Sequence, residues 1–317
     1  MTKINKNDFS WKKIEKPFFA LAPMANITTY PFASICKEMG VDVIFTPMIS
    51  SNAVIHNPCH AIKLITFPKK YQPIIAQIFG YDGELIGRAA NVLNERAVIA
   101  GIDINMGCPA PKITGNECGS SLLKDFEKAS DMVKTVREMY KGQLSVKLRL
   151  GWDDVNIEKL ALRLEKIGVD AITIHGRTAR QGYRGEADWK PIYDIANKVK
   201  IPVIGNGDIT DWKSAYDRLK VGNLAGVMIG RGSLGNPWIF KEIQQKRNLV
   251  ISKKMIVDVL RKQTKRYMEF TGENLAILEM RKHFGWYIKG FPGALEIRKK
   301  VMQVETFDDV ENILNLI

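Results

Sequence analysis

A chain of 317 residues accommodates one large domain with a smaller one attached. Lys and Arg outnumber Asp and Glu by 47 to 34, which suits a polyanionic partner, and no apolar run reaches the roughly 18 residues of a membrane span. The basic, polar stretch Met1–Lys16 has no apolar core and does not read as a secretory signal, and the four cysteines (Cys36, Cys59, Cys108, Cys118) form no C-x-x-C pair, so a cytoplasmic protein without a disulfide framework is expected.

Short apolar runs recur along the chain, namely Phe18–Ala22, Val41–Thr46, Pro73–Phe79, Gly101–Asn105, Leu144–Leu148, Ala171–His175, Pro202–Gly205 and Gly226–Ile229. They are short and rich in β-branched residues, as strands buried on both faces are. Amphipathic stretches lie between them. Over 82–97, Leu85, Ile86, Ala89, Ala90, Leu93 and Ala97 share one helical face. Over 155–168, Ile157, Leu160, Ala161, Leu164 and Ile167 do the same, and Gly168 stops the helix. Eight strand-plus-crossover units fit a (β/α)8 TIM barrel, and strand count alone leaves a doubly wound open sheet as the alternative. His56, Cys59 and His60 cluster without a second ligand pair, so no metal site is expected.

The pattern changes near residue 245. The remainder of the chain is helical in period and broken at Thr271-Gly272-Glu273 and at Gly290-Phe291-Pro292-Gly293. The expected division is therefore 1–245, a barrel, and 246–317, a small all-helical domain. Residues 244–304 hold 14 Lys or Arg against 5 Asp or Glu, which concentrates the basic excess in the tail.

Barrel chemistry sits at the carboxyl ends of the strands. The first run ends in Pro23-Met24-Ala25. The third carries Gln77. The fourth ends in Asn105 and then Gly107-Cys108-Pro109. The fifth carries Lys147 and Arg149, the sixth ends in His175-Gly176-Arg177, the seventh in Asn206-Gly207-Asp208 and the eighth in Gly230-Arg231-Gly232. One polar residue in a buried strand is ordinarily a satisfied core group. Polar ends on every strand from the third run to the eighth point instead to one lined pocket. Gly207, Gly230, Gly232 and Arg231 fit a phosphate at the last two strands. The segment 230–235 matches G-x-G-x-x-G, but it comes after the last strand rather than the first, so a Rossmann reading is rejected.

Together the segments LAPMANITTYPF (21–32), QIFGYDGELIGRAA (77–90), DINMGCPAPKI (103–113), GSSLL (119–123), SVKLRLGWD (145–153), ITIHGRTARQGYRGEADW (172–189), IPVIGNGDI (201–209), VMIGRGSLGNPWIF (227–240) and RKHFGWYIKGFPGA (281–294) resemble the tRNA-dihydrouridine synthases, nearest the bacterial B-type branch. The resemblance covers nearly the whole chain in order. It departs at Asn26, where the family commonly has Gly, at Thr29, where it commonly has Asp, and at Pro47, where Glu often precedes Met.

The resemblance implies an FMN-containing barrel that takes reducing equivalents from NADPH or NADH and acts on tRNA, as a monomer. Pro23, Met24 and Ala25 are then expected against the flavin ring, Gln77 and Lys147 at its pyrimidine edge, and His175 beside it. Asn206, Gly207, Asp208, Gly230 and Arg231 are expected around its phosphate. Asn105 falls near the uracil and Cys108 becomes the acid. Saturating the C5=C6 bond takes a hydride and a proton on adjacent carbons, and no side chain can give the hydride. Hydride on C6 leaves charge at C5 beside the C4 carbonyl, where a mostly protonated thiol can donate. The base must be extruded from folded tRNA, so cations are expected to grip the backbone. Arg281, Lys282, Lys289 and Arg298 are the candidates on the tail, and Arg177 and Arg184 beside the pocket. A flavin barrel acting on a free pyrimidine would not need the basic tail, and a purely RNA-binding barrel would not need Cys108 and Lys147.

Overall fold

A computed structural model describes residues 9–317, so the first eight residues of the basic N-terminal stretch lie outside the described residues. The strands are β1 (Phe18–Leu21), β2 (Val43–Phe45), β3 (Ile49–Ser50), β4 (Ile74–Phe79), β5 (Gly101–Met106), β6 (Leu144–Arg149), β7 (Ala171–His175), β8 (Val203–Asn206) and β9 (Gly226–Ile229). All pairings are parallel. β2 pairs with β1 on one side and β4 on the other, so the ring closes through eight strands. That closure excludes the open sheet and makes the fold a (β/α)8 barrel. The two-residue β3 lies outside the ring, beside the upper end of β4 (Ile49 opposite Ile78), and is too short to leave a periodic signal.

Period-two alternation explains both faces of the barrel wall. In β6, Leu144, Val146 and Leu148 join the large core between strands and helices. Ser145, Lys147 and Arg149 take the opposite face and look inward. At the lower level the interior is apolar: Phe18, Ala20, Phe45, Ile75, Ile204 and Met228 form one cluster with Phe9 and Trp11. The segment up to Lys16 reads as polar in the sequence. Instead Trp11 is fully buried, stacked on Phe45 and anchored by its backbone N–H to the Gln143 side chain at 3.0 Å. Two aromatic residues among many lysines give no period, yet they close the bottom of the barrel.

The helices begin and end where short-range chemistry directs. Gly83–Arg96 starts on Asp82, whose carboxylate accepts from the N–H groups of Glu84 and Leu85. Glu158–Ile167 stops at Gly168, where φ is +92°. Beyond the barrel, helices Lys253–Thr271, Glu273–Tyr287, Ala294–Val301 and Phe307–Leu314 surround a second core. That core includes Leu260, Ile277, Met280, Phe284 and Tyr287, together with Ile35 and Trp238 from the barrel side. Polar contacts cross the same seam. Glu38 pairs with Lys262 and Arg266, and the Tyr267 hydroxyl lies 3.2 Å from that of Thr29. Among the described residues no helix is long and apolar enough to cross a membrane.

Candidate active site

The carboxyl ends of the strands open into a cleft of about 640 Å3. Its walls carry Pro23, Met24 and Ala25 after β1, Gln77 of β4, Asn105 of β5 and Cys108 just beyond it. Lys147 of β6, His175 of β7, Asn206, Gly207 and Asp208 at the end of β8, and Gly230 and Arg231 after β9 complete it. The volume falls in the usual range of small-molecule sites. The structure therefore gathers these expected residues around a single space.

A buried hydrogen-bond chain holds one side of the cleft. Ser145 Oγ donates to Asp103 Oδ1 at 2.6 Å, and Gln77 Nε2 donates to Asp103 Oδ2 at 2.7 Å. Asn105 Nδ2 donates to Gln77 Oε1 at 2.8 Å. Asn105 Oδ1 then accepts the backbone N–H groups of Gly107 and Cys108 at 3.1 and 3.0 Å. From the other side the Cys108 carbonyl accepts from Ser120 N at 3.0 Å. Gly119 makes that approach possible, because with φ +62° a Cβ there would sit 2.7 Å from the Cys108 carbonyl oxygen. Cys108 itself is half-buried, unlike Cys36 and Cys118, which are buried.

Lys147 is the second anchor. Burial, with Arg149 adding to it, lowers its amine from 10.5 to about 8. Its Nζ donates to Asn206 Oδ1 at 3.1 Å, which uses one of an ammonium's three donors. His175 is driven far below its usual range, first by burial and then by Lys147, Arg149, Arg177 and Arg231. The imidazole is therefore neutral at physiological pH. Gly207, at φ +135°, lies against it: a Cβ there would meet Ala187 Cβ at 2.6 Å and His175 Cδ2 at 3.3 Å.

At the far end Asp208 faces two cations. Arg177 Nη2 donates to Oδ2 at 2.7 Å and Arg231 Nη2 to Oδ1 at 3.1 Å. Burial raises the carboxyl pKa, but Arg177, the Ala187 N–H and Arg231 outweigh it and hold the group below the usual range. Arg177 was expected to reach tRNA. It is 2% exposed; its Nη1 also donates to Asp208 Oδ1 at 2.9 Å, and it donates to the carbonyls of Arg184 and Gly185, so it braces the loop instead. Arg184 stays exposed on that loop.

The expected tail residues divide as well. Lys289 is exposed and Arg298 half-buried. Arg281 Nη2 donates to Val304 O at 2.7 Å, which ties helix Glu273–Tyr287 to the connection after Ala294–Val301. Lys282 Nζ donates to Asn26 O at 2.7 Å and pairs with Glu279. Asn26 has φ +56°, a conformation that glycine takes freely and Asn tolerates better than most residues. The departure from Gly at this position is thus accommodated by the backbone.

Three residues of the site escape a reading of the sequence. Asp103 lies in an unbroken buried strand, and a carboxylate there requires partners, which was the available signal. Arg149 is visible at the end of its run but its targets are not: it donates to Gly107 O, Thr178 O and Gly182 O. Tyr183, 61% exposed, spreads its ring beneath the guanidinium groups of Arg231 and Arg149, 4.8 and 5.7 Å from its centroid. It lies next to Arg184 within the segment 172–189, but its stacking on arginines from two other segments is not readable from the sequence.

Known proteins resemble this chain in fold and in sequence. A solved structure described as a variant of NCR from Zymomonas mobilis shares the fold, with a TM-score of 0.55 at 15% identity over 81% of this chain and 96% of that one. A probable tRNA-dihydrouridine synthase of Rickettsia conorii is 35% identical, covering 89% of this chain and 87% of that protein. One of Aquifex aeolicus is 33% identical over 90% and 91%. The tRNA-dihydrouridine synthase B of Pseudomonas syringae pv. tomato is 33% identical over 90% and 86%. The family model for dihydrouridine synthase (Dus) matches residues 20–316. With that match over almost its whole length, the chain belongs to the dihydrouridine synthase family.

Proposed function

We propose that the chain reduces the C5=C6 bond of uridine in tRNA, with FMN in the cleft and NADPH or NADH as the source of electrons. The observation that carries this reading is the cleft itself, where a half-buried thiol and a half-buried lysine face one space in a member of this family. The donor set fits FMN. Lys147 has donors left over after Asn206, and Arg231 stands half-exposed at the opposite end, so an anionic ring edge and a phosphate both find cations.

Bound FMN would supply the hydride chemistry that no side chain can. The chain's own residues do the rest. Pro23, Met24 and Ala25 would flank the ring, and Gln77 and Lys147 would meet its pyrimidine edge. Lys147 would place positive charge beside the edge where a reduced ring is negative. Neutral His175 can donate or accept a hydrogen bond but adds no charge of its own. Asn206, Gly207, Gly230 and Arg231 would hold the phosphate. Asp208 would contribute by aiming Arg231, since its carboxylate already faces two guanidinium groups.

Cys108 would deliver the proton to C5 once hydride has reached C6, with Asn105 beside the uracil. The exposed cations Arg184 and Lys289, with Arg298, would neutralise RNA phosphates while the base is extruded. The test is direct. Purified protein reconstituted with FMN and given NADPH and unmodified tRNA should form dihydrouridine, read by mass spectrometry of the digested RNA. If no dihydrouridine forms while a free pyrimidine is turned over, the substrate is a small molecule instead.

A further inference from the structure

Both oxygens of Asp103 act as acceptors, one toward Ser145 and one toward Gln77. An ionised carboxylate cannot donate, and this fixes the direction of every bond above it. Gln77 must turn its NH2 toward Asp103, so its carbonyl faces Asn105. Asn105 must then turn its NH2 toward Gln77, which leaves Oδ1 for the N–H groups of Gly107 and Cys108. Inverting any one amide sets donor against donor or acceptor against acceptor at its neighbour. The two amides are nearly symmetric in shape; the carboxylate at one end and the N–H groups of Gly107 and Cys108 at the other distinguish their ends. The chain of bonds lies in the barrel interior, where an unmatched polar group is costly.

We propose that Asp103 is a positioning residue for the reaction proposed above: its carboxylate sets the amide orientation of Gln77 and, through it, the Asn105 acceptor that holds the Cys108 loop. Asp103 has no contact with the cleft of its own and acts only through these two amides. It is fully enclosed. Burial raises its carboxyl from 3.8 to about 6, so the ionised, acceptor-only form prevails near neutral pH.

Asp103→Asn keeps the shape and removes the anchor at the lower end of the chain, because an amide can face Gln77 with either end and only the Gly107 and Cys108 N–H groups are left to orient it. Two readouts test this. In flavin-free protein, alkylation of Cys108 by iodoacetamide is measured by peptide mass spectrometry, in a Cys59→Ser background that removes the exposed thiol. The expected result is alkylation at least about threefold faster, since a released loop exposes the thiol more often. In reconstituted protein, tRNA-dependent reoxidation of prereduced flavin is expected to fall on the order of 10- to 100-fold.

Adding Gln77→Glu to Asp103→Asn restores a central acceptor, to which both Asn105 and the amide introduced by Asp103→Asn can donate. Alkylation should then return to within about twofold of the parent rate, which loss of packing alone cannot explain. If Asp103→Asn does not fold, Gln77→Met, which cuts the relay between Asp103 and Asn105, is judged by the alkylation readout. Wild-type alkylation and reoxidation rates in a folded variant, or a double variant that alkylates as fast as the single, overturn the proposal. The alkylation readout needs neither tRNA nor FMN, so it stands even if wild-type protein makes no dihydrouridine and the functional reading fails.

Discussion

Arg149 Nε donates to the carbonyl of Gly107 at 2.7 Å, which ties β6 to the loop that carries Cys108. Its Nη1 reaches the carbonyls of Thr178 and Gly182, both at 2.9 Å. One buried guanidinium thus holds the loops after β5 and β7 at a fixed spacing. An ammonium on a flexible stem cannot span three carbonyls in this geometry. Arg149→Lys should cost about 2–4 kcal/mol in urea unfolding, because buried carbonyls lose their donors. It should also slow single-turnover dihydrouridine formation on the order of 100-fold. A variant as stable and as fast as wild type would show that the loops are held by other contacts.

Lys147 stands where reduced flavin is expected to carry negative charge. Lys147→Met removes the cation and keeps most of the stem. The midpoint potential of bound flavin should become more negative, and reduction by NADPH should slow. A spectroelectrochemical titration of the holoprotein reads this directly. An unchanged potential would place the flavin's charged edge elsewhere in the cleft.

Asp103 also gives the fold a pH dependence with a definite sign. Its folded-state pKa, about 6, lies above the usual 3.8 because of burial. Between these values the folded chain keeps a proton that the unfolded chain releases. The stabilisation is therefore fully present below the unfolded value and is lost as pH rises through about 6. Its size is at most about 3 kcal/mol, taking one pKa unit as about 1.4 kcal/mol. Asp103→Asn removes the titration. The variant's Tm minus that of wild type should rise from about pH 4 to about pH 6 and level off above it. A difference that is constant over this window would mean the carboxyl titrates normally.

The tail cations should separate by whether a protein carbonyl already holds them. Lys289→Ala with Arg298→Ala should raise KM for tRNA several-fold and leave kcat near wild type, and should flatten the dependence of binding on salt, since each phosphate contact contributes roughly one unit of slope. Arg281→Ala should instead lower Tm, because it removes the donor to Val304 O. Equal salt slopes for wild type and the Lys289–Arg298 double variant would move the RNA interface off this face.

The barrel was legible because each strand is buried on both faces and reads as a continuous apolar run. Ala171–His175 and Gly226–Ile229 were bounded to the residue. Polar strand ends marked the cleft for the same reason, since Gln77, Lys147 and His175 interrupt otherwise apolar runs. The parts that stayed hidden depend on partners distant in the chain. Asp103 finds Ser145 and Gln77, 42 and 26 residues away. The Arg177 side chain turns inward to Asp208 rather than outward to RNA. Trp11 closes the barrel floor from within a basic segment. A single sequence shows the charge of an arginine, but it does not show which carboxylate or carbonyl has already claimed it.

The most direct test of the central claim compares wild type with Cys108→Ala, both reconstituted with FMN and given NADPH and unmodified tRNA, with dihydrouridine counted by mass spectrometry. The expected result is dihydrouridine in the wild-type reaction and at least about a 100-fold loss in the variant, with FMN still bound. Wild-type product formation in Cys108→Ala would remove the thiol from the reaction, and no product from wild type would remove tRNA uridine as the substrate.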